Sequence, residues 1–491
     1  MSQVNDTVVE EKLNIKKSID FKNINWINVC NTIIVLGILV YITIDRIEYV
    51  MGATANVPIM DYWRYIVQFV DKVFNEGVSL ADLWIPQEGA AHRAMGMPII
   101  FFLMNVKFFG LNTTIEVFWG SIATLINCLL LFWVYQKKMK WENNIMKYGF
   151  VLIALCMFNI NQWEIITIEF SLGFATRIML ILLTLCIFDN LQEKQVHISK
   201  FILYLIFIFI VACLTGSYGP AVLGAMLFIT LVQIIIEVDD KKRLLIQNAI
   251  ILFVFALGVI FFFKDLGGGT GDSLGNNVEN AIMSGNLIKA VLYMLGSSIL
   301  HITSSQVSQN PDVLLTIGFV LFVLYILAIC IFFKRKMYEK TYVPLMLMAY
   351  TACVILVISV GRIPMYGAYY LTSSRYVVET TLGLCGIVWV FLYELYCIFK
   401  FEIKKIKILS LIWISICSLG FVFIFSNLKT SYDTEIATGP NRKLYQENLI
   451  NTMINNDTLT DEQAAYFQYS TWYVNEGIDI MQEYDLGIFG E

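Results

Sequence analysis

The sequence predicts an all-α, polytopic membrane protein, on three observations. Of its 491 residues, 58% are hydrophobic and 15% charged, where a soluble domain carries roughly 25% charged residues. The apolar residues fall into eleven runs, most of them near the ~20 residues that a bilayer-spanning helix needs. Lysines and arginines gather in alternate loops between those runs, the pattern that sets orientation in a membrane.

The first 25 residues are polar, carry Lys12, Lys16, Lys17 and Lys22, and read as a cytoplasmic tail without a signal peptide. Spans are expected near 26–44, 115–135, 147–163, 173–188, 201–217, 220–237, 244–263, 313–333, 343–360, 377–397 and 407–426. Two further apolar runs, 95–109 and 286–302, are shorter or broken by polar residues and are expected to lie half-embedded on the outer face. With those two uncrossed, the inner loops receive 21 of the 34 Lys+Arg, including Lys137-Lys138-Met139-Lys140, Lys241-Lys242-Arg243, Lys334-Arg335-Lys336 and Lys404-Lys405-Ile406-Lys407. Letting both runs cross would put two of these clusters outside, against the positive-inside bias. The expected organisation is a tail over 1–25, a membrane domain over 26–426 whose first outer loop is 45–114, and a small extracytoplasmic helical tail over 427–491. In that tail Thr460-Asp461-Glu462-Gln463 fits a capping box, and Leu444, Leu449, Met453 and Ile454 suggest a short amphipathic helix before it.

Some chemistries are disfavoured early. All ten cysteines lie inside apolar runs, so neither a disulfide framework nor a zinc site is expected. The three histidines, His92, His197 and His301, form no close pair, which argues against a His-built metal centre. The glycine run 267–271 lacks the preceding strand and following Lys-Ser/Thr of a phosphate-cradling loop, and reads as a flexible outer segment. No cofactor and no nucleic-acid partner is expected.

The stretch that draws attention is Asp61–Arg93. Trp63, Ile66, Val67, Val70 and Phe74 fall on one face of a helix and Arg64, Gln68, Asp71 and Asn75 on the other, as in a helix lying along the membrane interface, with Gly77 as its stop. The stretch ends in Gln87-Glu88-Gly89-Ala90-Ala91-His92-Arg93, which delivers ionisable groups to the start of the next apolar run. Charged groups held at a membrane boundary are costly and so usually functional.

Five short motifs then stand together: Asp-x-Trp at 61–63, Gln-x-x-x-x-His-Arg at 87–93, Gln162-Trp163-Glu164, Ser373-Ser374-Arg375-Tyr376, and Leu-Gly-Ile-Phe at 486–489. In this combination the chain resembles bacterial GT-C-type membrane glycosyltransferases, over nearly its whole length. The resemblance implies a GT-C-like bundle that moves a sugar from a polyprenyl-phosphate carrier to an extracytoplasmic glycan acceptor, by an inverting single displacement. It places the catalytic carboxylate in the first outer loop, which here is Asp61. Many relatives carry Glu directly before His-Arg, whereas here Ala91 stands there and Glu88 lies four residues before His92. No Asp-x-Asp motif occurs, which disfavours a metal-dependent variant.

Each candidate also has a plainer reading. Asp61 stands where an N-cap belongs and could accept the Arg64 amide instead of serving as general base. Arg375, Arg93 and Arg362 could bind the departing phosphate through their bidentate forks, or snorkel at span ends. His92 could orient acceptor or phosphate, or be a hydrogen-bonded structural residue. Glu164 and Glu169 could contact sugar hydroxyls with Trp163 stacked on a ring face, or the group could anchor the interface. Arg177, inside a span two helical turns after Glu169, reads equally as a structural ion pair through an intermediate partner. Three functions remain open: the glycosyltransferase, a lipid-linked oligosaccharide polymerase or ligase, and a flippase or transporter of lipid-linked sugars. The last should show charges deep in several spans together with internal symmetry.

Overall fold

The computed structural model describes residues 26–85, 97–139, 145–193, 197–236, 240–264, 279, 282, 285–402, 408–456 and 458–490. The described chain is an all-helical polytopic membrane protein with ten helices long and apolar enough to cross a bilayer. The long helices are α1 (Trp26–Ala53), α5 (Thr113–Met139), α8 (Ser171–Glu193), α10 (Gly219–Ile235), α11 (Lys241–Phe263), α14 (Val313–Lys334), α15 (Val343–Tyr366), α16 (Val377–Cys397) and α17 (Ile408–Ile454). The tenth is the broken α6 (Ile145–Met157) with α7 (Trp163–Ile166). The eleventh expected span is α9 (Ile198–Leu214), 17 residues long, at the lower limit for a crossing helix. It stops before Gly216, which sits at φ 60° where only glycine is unstrained.

α16 is the hub. Of its most apolar stretch 89% is buried, against 17% for α1 at the periphery. Trp389 and Phe391 are fully enclosed at its centre, packed with α6, α14, α15 and α17 around it. The third span departs from a continuous run to 163. It breaks after Met157, and Asn159 caps a tight turn by accepting the Asn161 amide at 2.9 Å.

Among the described residues neither of the two uncrossed runs makes a helix long enough to span. α4 (Met97–Phe109) has 13 residues and α12 (Asn286–Ser297) has 12, about 20 and 18 Å at 1.5 Å per residue, well short of the ~30 Å apolar core. α12 lies directly on α14 because both carry a glycine at the contact. A Cβ on Gly318 would stand 1.9 Å from the Leu292 carbonyl oxygen, and one on Gly296 2.2 Å from that of Leu314.

α17 runs unbroken for 47 residues, about 70 Å. It therefore carries the chain from the last span straight into the tail, and Leu449 and Met453 are buried near its end rather than in a separate helix. After it come α18 (Asp461–Ala465), opened by the Thr460/Gln463 capping box, and α19 (Thr471–Glu483).

A second, smaller core joins the first outer loop to this tail. α2 (Tyr62–Asp71) buries Tyr62, Trp63, Tyr65, Ile66, Phe69 and Val70, with Phe102, Phe467, Val474, Met481 and Leu486 opposite. The apolar face expected to lie in the membrane interface is therefore covered by the chain's own C-terminal segment. The fit is close: a Cβ on Gly477 would stand 2.6 Å from the Trp63 ring. Phe74, expected on that face, is instead exposed and stacked on Tyr484. The helix widens into a π turn over Lys72–Glu76 and ends at Gly77. Gly487 of the Leu-Gly-Ile-Phe motif donates its amide to the Gly110 carbonyl at 2.7 Å, tying the tail to the α4–α5 turn.

Candidate active site

Because the spans alternate in direction, one face of the bundle collects the ends at Ala53, Thr113, Ile166, Ser171, Tyr366 and Val377. This face carries the candidates, and we call it the Asp61 face. The other, where Lys138 and Lys334 lie, is the lysine face.

Asp61 is exposed at the backbone cap position of α2, but its side chain makes no capping hydrogen bond. The Arg64 amide goes to the Asp61 main-chain carbonyl at 3.1 Å. Met60 before it sits at φ 57°, an uncommon conformation for a residue with a side chain, held by its amide donating to the Phe467 carbonyl at 3.0 Å. Asp61 itself takes helical dihedrals, φ −63° and ψ −9°, instead of the extended ones of a capping residue, so its side chain is not in the capping role. Beside it lies Glu169, 1% exposed, which accepts the Ile59 amide at 2.9 Å. Burial, with added repulsion from Glu116 and Asp61, pushes the Glu169 carboxyl up to about 8. Tyr469 is pushed up to about 12 by burial, with Arg64 opposing the shift and Asp61 adding to it.

Glu164 and Arg375 are brought together across 211 positions of sequence as an ion pair. Ser373 and Ser374 donate their hydroxyls to Glu164 at 2.7 and 3.3 Å, and the Glu164 amide donates to Ser374 Oγ at 3.1 Å. Arg375 Nε adds a bond to Ser373 Oγ at 3.1 Å. The guanidinium is thus fixed in direction, yet its side chain remains 34% exposed. Arg362, on the other limb of the same turn, is exposed and has no ion pair or hydrogen bond among the described residues. Tyr366 and Tyr370 stack between the two limbs, 4.4 Å between centroids.

Trp163 does not offer a free face. The Arg442 guanidinium sits 3.3 Å over its ring, and His301 stacks alongside at 6.3 Å. The expected sugar stacking is therefore not available in this packing, because α17 runs far enough to bring Arg442 onto the indole. Behind it lies a closed knot around the fully buried Glu435. Arg442 grips that carboxylate with Nε at 2.6 Å and Nη2 at 2.8 Å, His301 Nε2 lies 2.6 Å away, and Tyr49 donates its hydroxyl. His301 Nδ1 accepts the Thr303 amide at 3.0 Å, which leaves the ring proton on Nε2, facing Glu435. Asn159 and Asn161 donate to the Ser298 and Ser297 carbonyls, pinning the end of α12 to this rim.

Arg177 pairs directly with buried Glu379, rather than through an intermediate with Glu169, and lies between the rings of Phe174 at 4.2 Å and Tyr218 at 4.1 Å. Glu88, His92 and Arg93 lie outside the described residues, as does the glycine run 267–271. Sequence reasoning missed Glu435, Glu379 and Arg46; only Glu379, an ionisable residue inside the 377–397 apolar run, carried a readable signal. Their partners were not readable: Tyr49 and Glu435 are 386 residues apart, Arg177 and Glu379 202.

No protein-family model and no curated protein matches the chain. Among solved structures it is similar to an oligosaccharyltransferase of Archaeoglobus fulgidus crystallised with a tethered acceptor peptide containing the NVT sequon, at a TM-score of 0.47 and 11% identity. The same enzyme in its apo form gives 0.46 and 11%. Either likeness covers 90% of this chain but 63% of the archaeal one, so the chain spans less than two thirds of its neighbour's length.

Proposed function

We propose that the protein is a membrane glycosyltransferase that moves a sugar from a polyprenyl-phosphate carrier to an acceptor hydroxyl on an extracytoplasmic glycan, with inversion. In this reading the N-terminus is cytoplasmic and the Asp61 face is extracytoplasmic. Asp61 takes the proton as the acceptor oxygen attacks the anomeric carbon. The bond from that carbon to the phosphate oxygen breaks, and its electron pair leaves with the lipid phosphate. That phosphate needs no proton, so one base is enough, typically worth about 10²–10⁴-fold.

The observation that supports this most is the pair of arginines, Arg362 and Arg375, that flank the Ile363–Ser374 segment. Arg375 is oriented by Glu164 and two serines but left partly open, and Arg362 has no partner of its own among the described residues. Two guanidinium forks at an interface of low dielectric suit the charge that develops on a departing phosphate. Asp61 belongs to the same rim. It stands beside Glu169 and Arg375 is tied to Glu164, and five residues of chain can separate those two by no more than roughly 17 Å.

The test is transfer by purified protein in liposomes containing a polyprenyl-phosphate sugar, with acceptor supplied on the Asp61 side. Transfer with loss of the lipid-linked sugar is expected, and Arg375→Lys should slow it about tenfold or more because a point charge cannot replace the fork. The buried Arg177–Glu379 pair inside the spans keeps the flippase reading in play; movement of intact lipid-linked sugar without transfer would favour it and overturn ours.

A further inference from the structure

Arg46 lies on α1, one to two turns before its end at the Asp61 face, and is 3% exposed. Neither Nε nor Nη1 has a hydrogen-bond partner, and no carboxylate among the described residues pairs with it. The Phe158 ring centroid lies 5.8 Å from the guanidinium carbon, at the far limit of a cation–π contact. Of the other buried cations, Arg177 and Lys138 are matched by buried carboxylates, and Lys147 donates to the Asn28 carbonyl and the Thr32 hydroxyl. An arginine does not escape this by losing its proton, so a full charge stands in a membrane-embedded interior.

The guanidinium opens onto a cavity of about 30 Å³ whose wall includes Thr124, Gln162, Ser171, Ile166 and Thr381. The Thr124 and Thr381 hydroxyls already donate to main-chain carbonyls of their own helices. The Ser171 hydroxyl makes no hydrogen bond to the described residues, and Asn127, also on the wall, donates its amide to the Ala175 carbonyl at 2.8 Å while its Oδ1 has no partner, so the wall offers the guanidinium, one hydroxyl and one amide acceptor. Water alone would satisfy those donors and leave the charge uncompensated, whereas a small anion does both. A volume of this size holds one or two waters; a halide ion is only slightly larger than a water, and a phosphate or carboxylate-bearing ligand does not fit.

We propose that Arg46 and Ser171 form a buried halide site, filled by chloride, that holds α1 against the α6–α8 junction. This is independent of the glycosyltransferase reading.

The test uses the full chain in detergent, titrated with sodium chloride at ionic strength held constant with sodium gluconate, whose anion is too large to enter. The melting temperature is expected to rise roughly 1–2 °C per tenfold chloride above its Kd. Bromide should act likewise, sulfate should not, and Arg46→Gln should abolish the response. In bromide-soaked crystals an anomalous peak is expected within hydrogen-bond distance of the guanidinium. An equal response in Arg46→Gln, or stabilisation by sulfate as strong as by chloride, overturns the site. If the variant does not fold, the wild-type anomalous map decides, and no bromide peak at Arg46 overturns it.

Discussion

The two faces of the bundle handle charge in opposite ways. At the lysine face the cations that end α5 and α14 are matched to buried carboxylates. Lys138 lies 2.7 Å from Asp189 with both side chains almost fully buried, and Asp189 also accepts the Thr341 hydroxyl at 2.9 Å and the Tyr342 amide at 2.6 Å. Lys334 and Arg335 share the fully buried Glu394, at 2.9 and 2.5 Å. These pairs clamp α5 to α8 and α14 to α16, and their donors are spent. At the Asp61 face some charge is spent the same way, around Glu435 and Glu379, but Arg362 is unpaired and exposed, Arg375 is oriented yet open, and Asp61 caps nothing. Spent charge builds a scaffold, and charge that is held but unspent is what a phosphate-bearing substrate needs.

The comparison can be broken most sharply at the lysine face. Asp189→Asn leaves Lys138 buried without its counter-charge, and a loss of about 3–5 kcal/mol is expected, read as a fall in the chemical-denaturation midpoint. A change under 1 kcal/mol would mean that the clamp is solvated and the faces are alike.

The second effect is a pH dependence at Glu169. Its folded carboxyl is raised to about 8 by burial and by Glu116 and Asp61, so between the ordinary carboxylate range and about 8 the folded state binds the extra proton. Stability therefore falls as pH rises through that window and levels off above it. Glu169→Gln should remove this decline, and an unchanged pH profile would show that Glu169 ionises as an ordinary surface carboxylate.

The smallest effect on folding belongs to Arg362. Arg362→Gln breaks no pair, so stability should stay within about 0.5 kcal/mol while lipid-phosphate sugar binding weakens. Lost stability with intact binding would make it an anchor like Lys334.

Much of the scaffold was legible in the sequence for a physical reason: a bilayer demands long apolar helices, and lysine placement fixes which ends share a face. The paired ends of α5, α8, α14 and α16 on one face agree with that placement. The Thr460 capping box and the Gly77 stop were legible because each is a local backbone requirement. What was not legible depends on contacts across hundreds of residues. The α2 face reads as interfacial in isolation, and only the packing of α19 reveals that protein, not lipid, covers it. Glu164 and Arg375 were each visible as rim charges, but their pairing was not. Trp163 looked like a sugar platform until α17 brought Arg442 over it.

The central claim rests most directly on Asp61, and the transfer rate of Asp61→Asn tests it. The aspartate side chain makes no cap hydrogen bond, and asparagine ranks with it at that position, so folding and insertion should change by no more than a few tenths of a kcal/mol. The proton acceptor is gone, so transfer from the polyprenyl-phosphate sugar should fall by about 10² or more, with donor binding retained. Wild-type transfer by a folded Asp61→Asn protein would contradict the account and return Asp61 to the ordinary surface of the first outer loop.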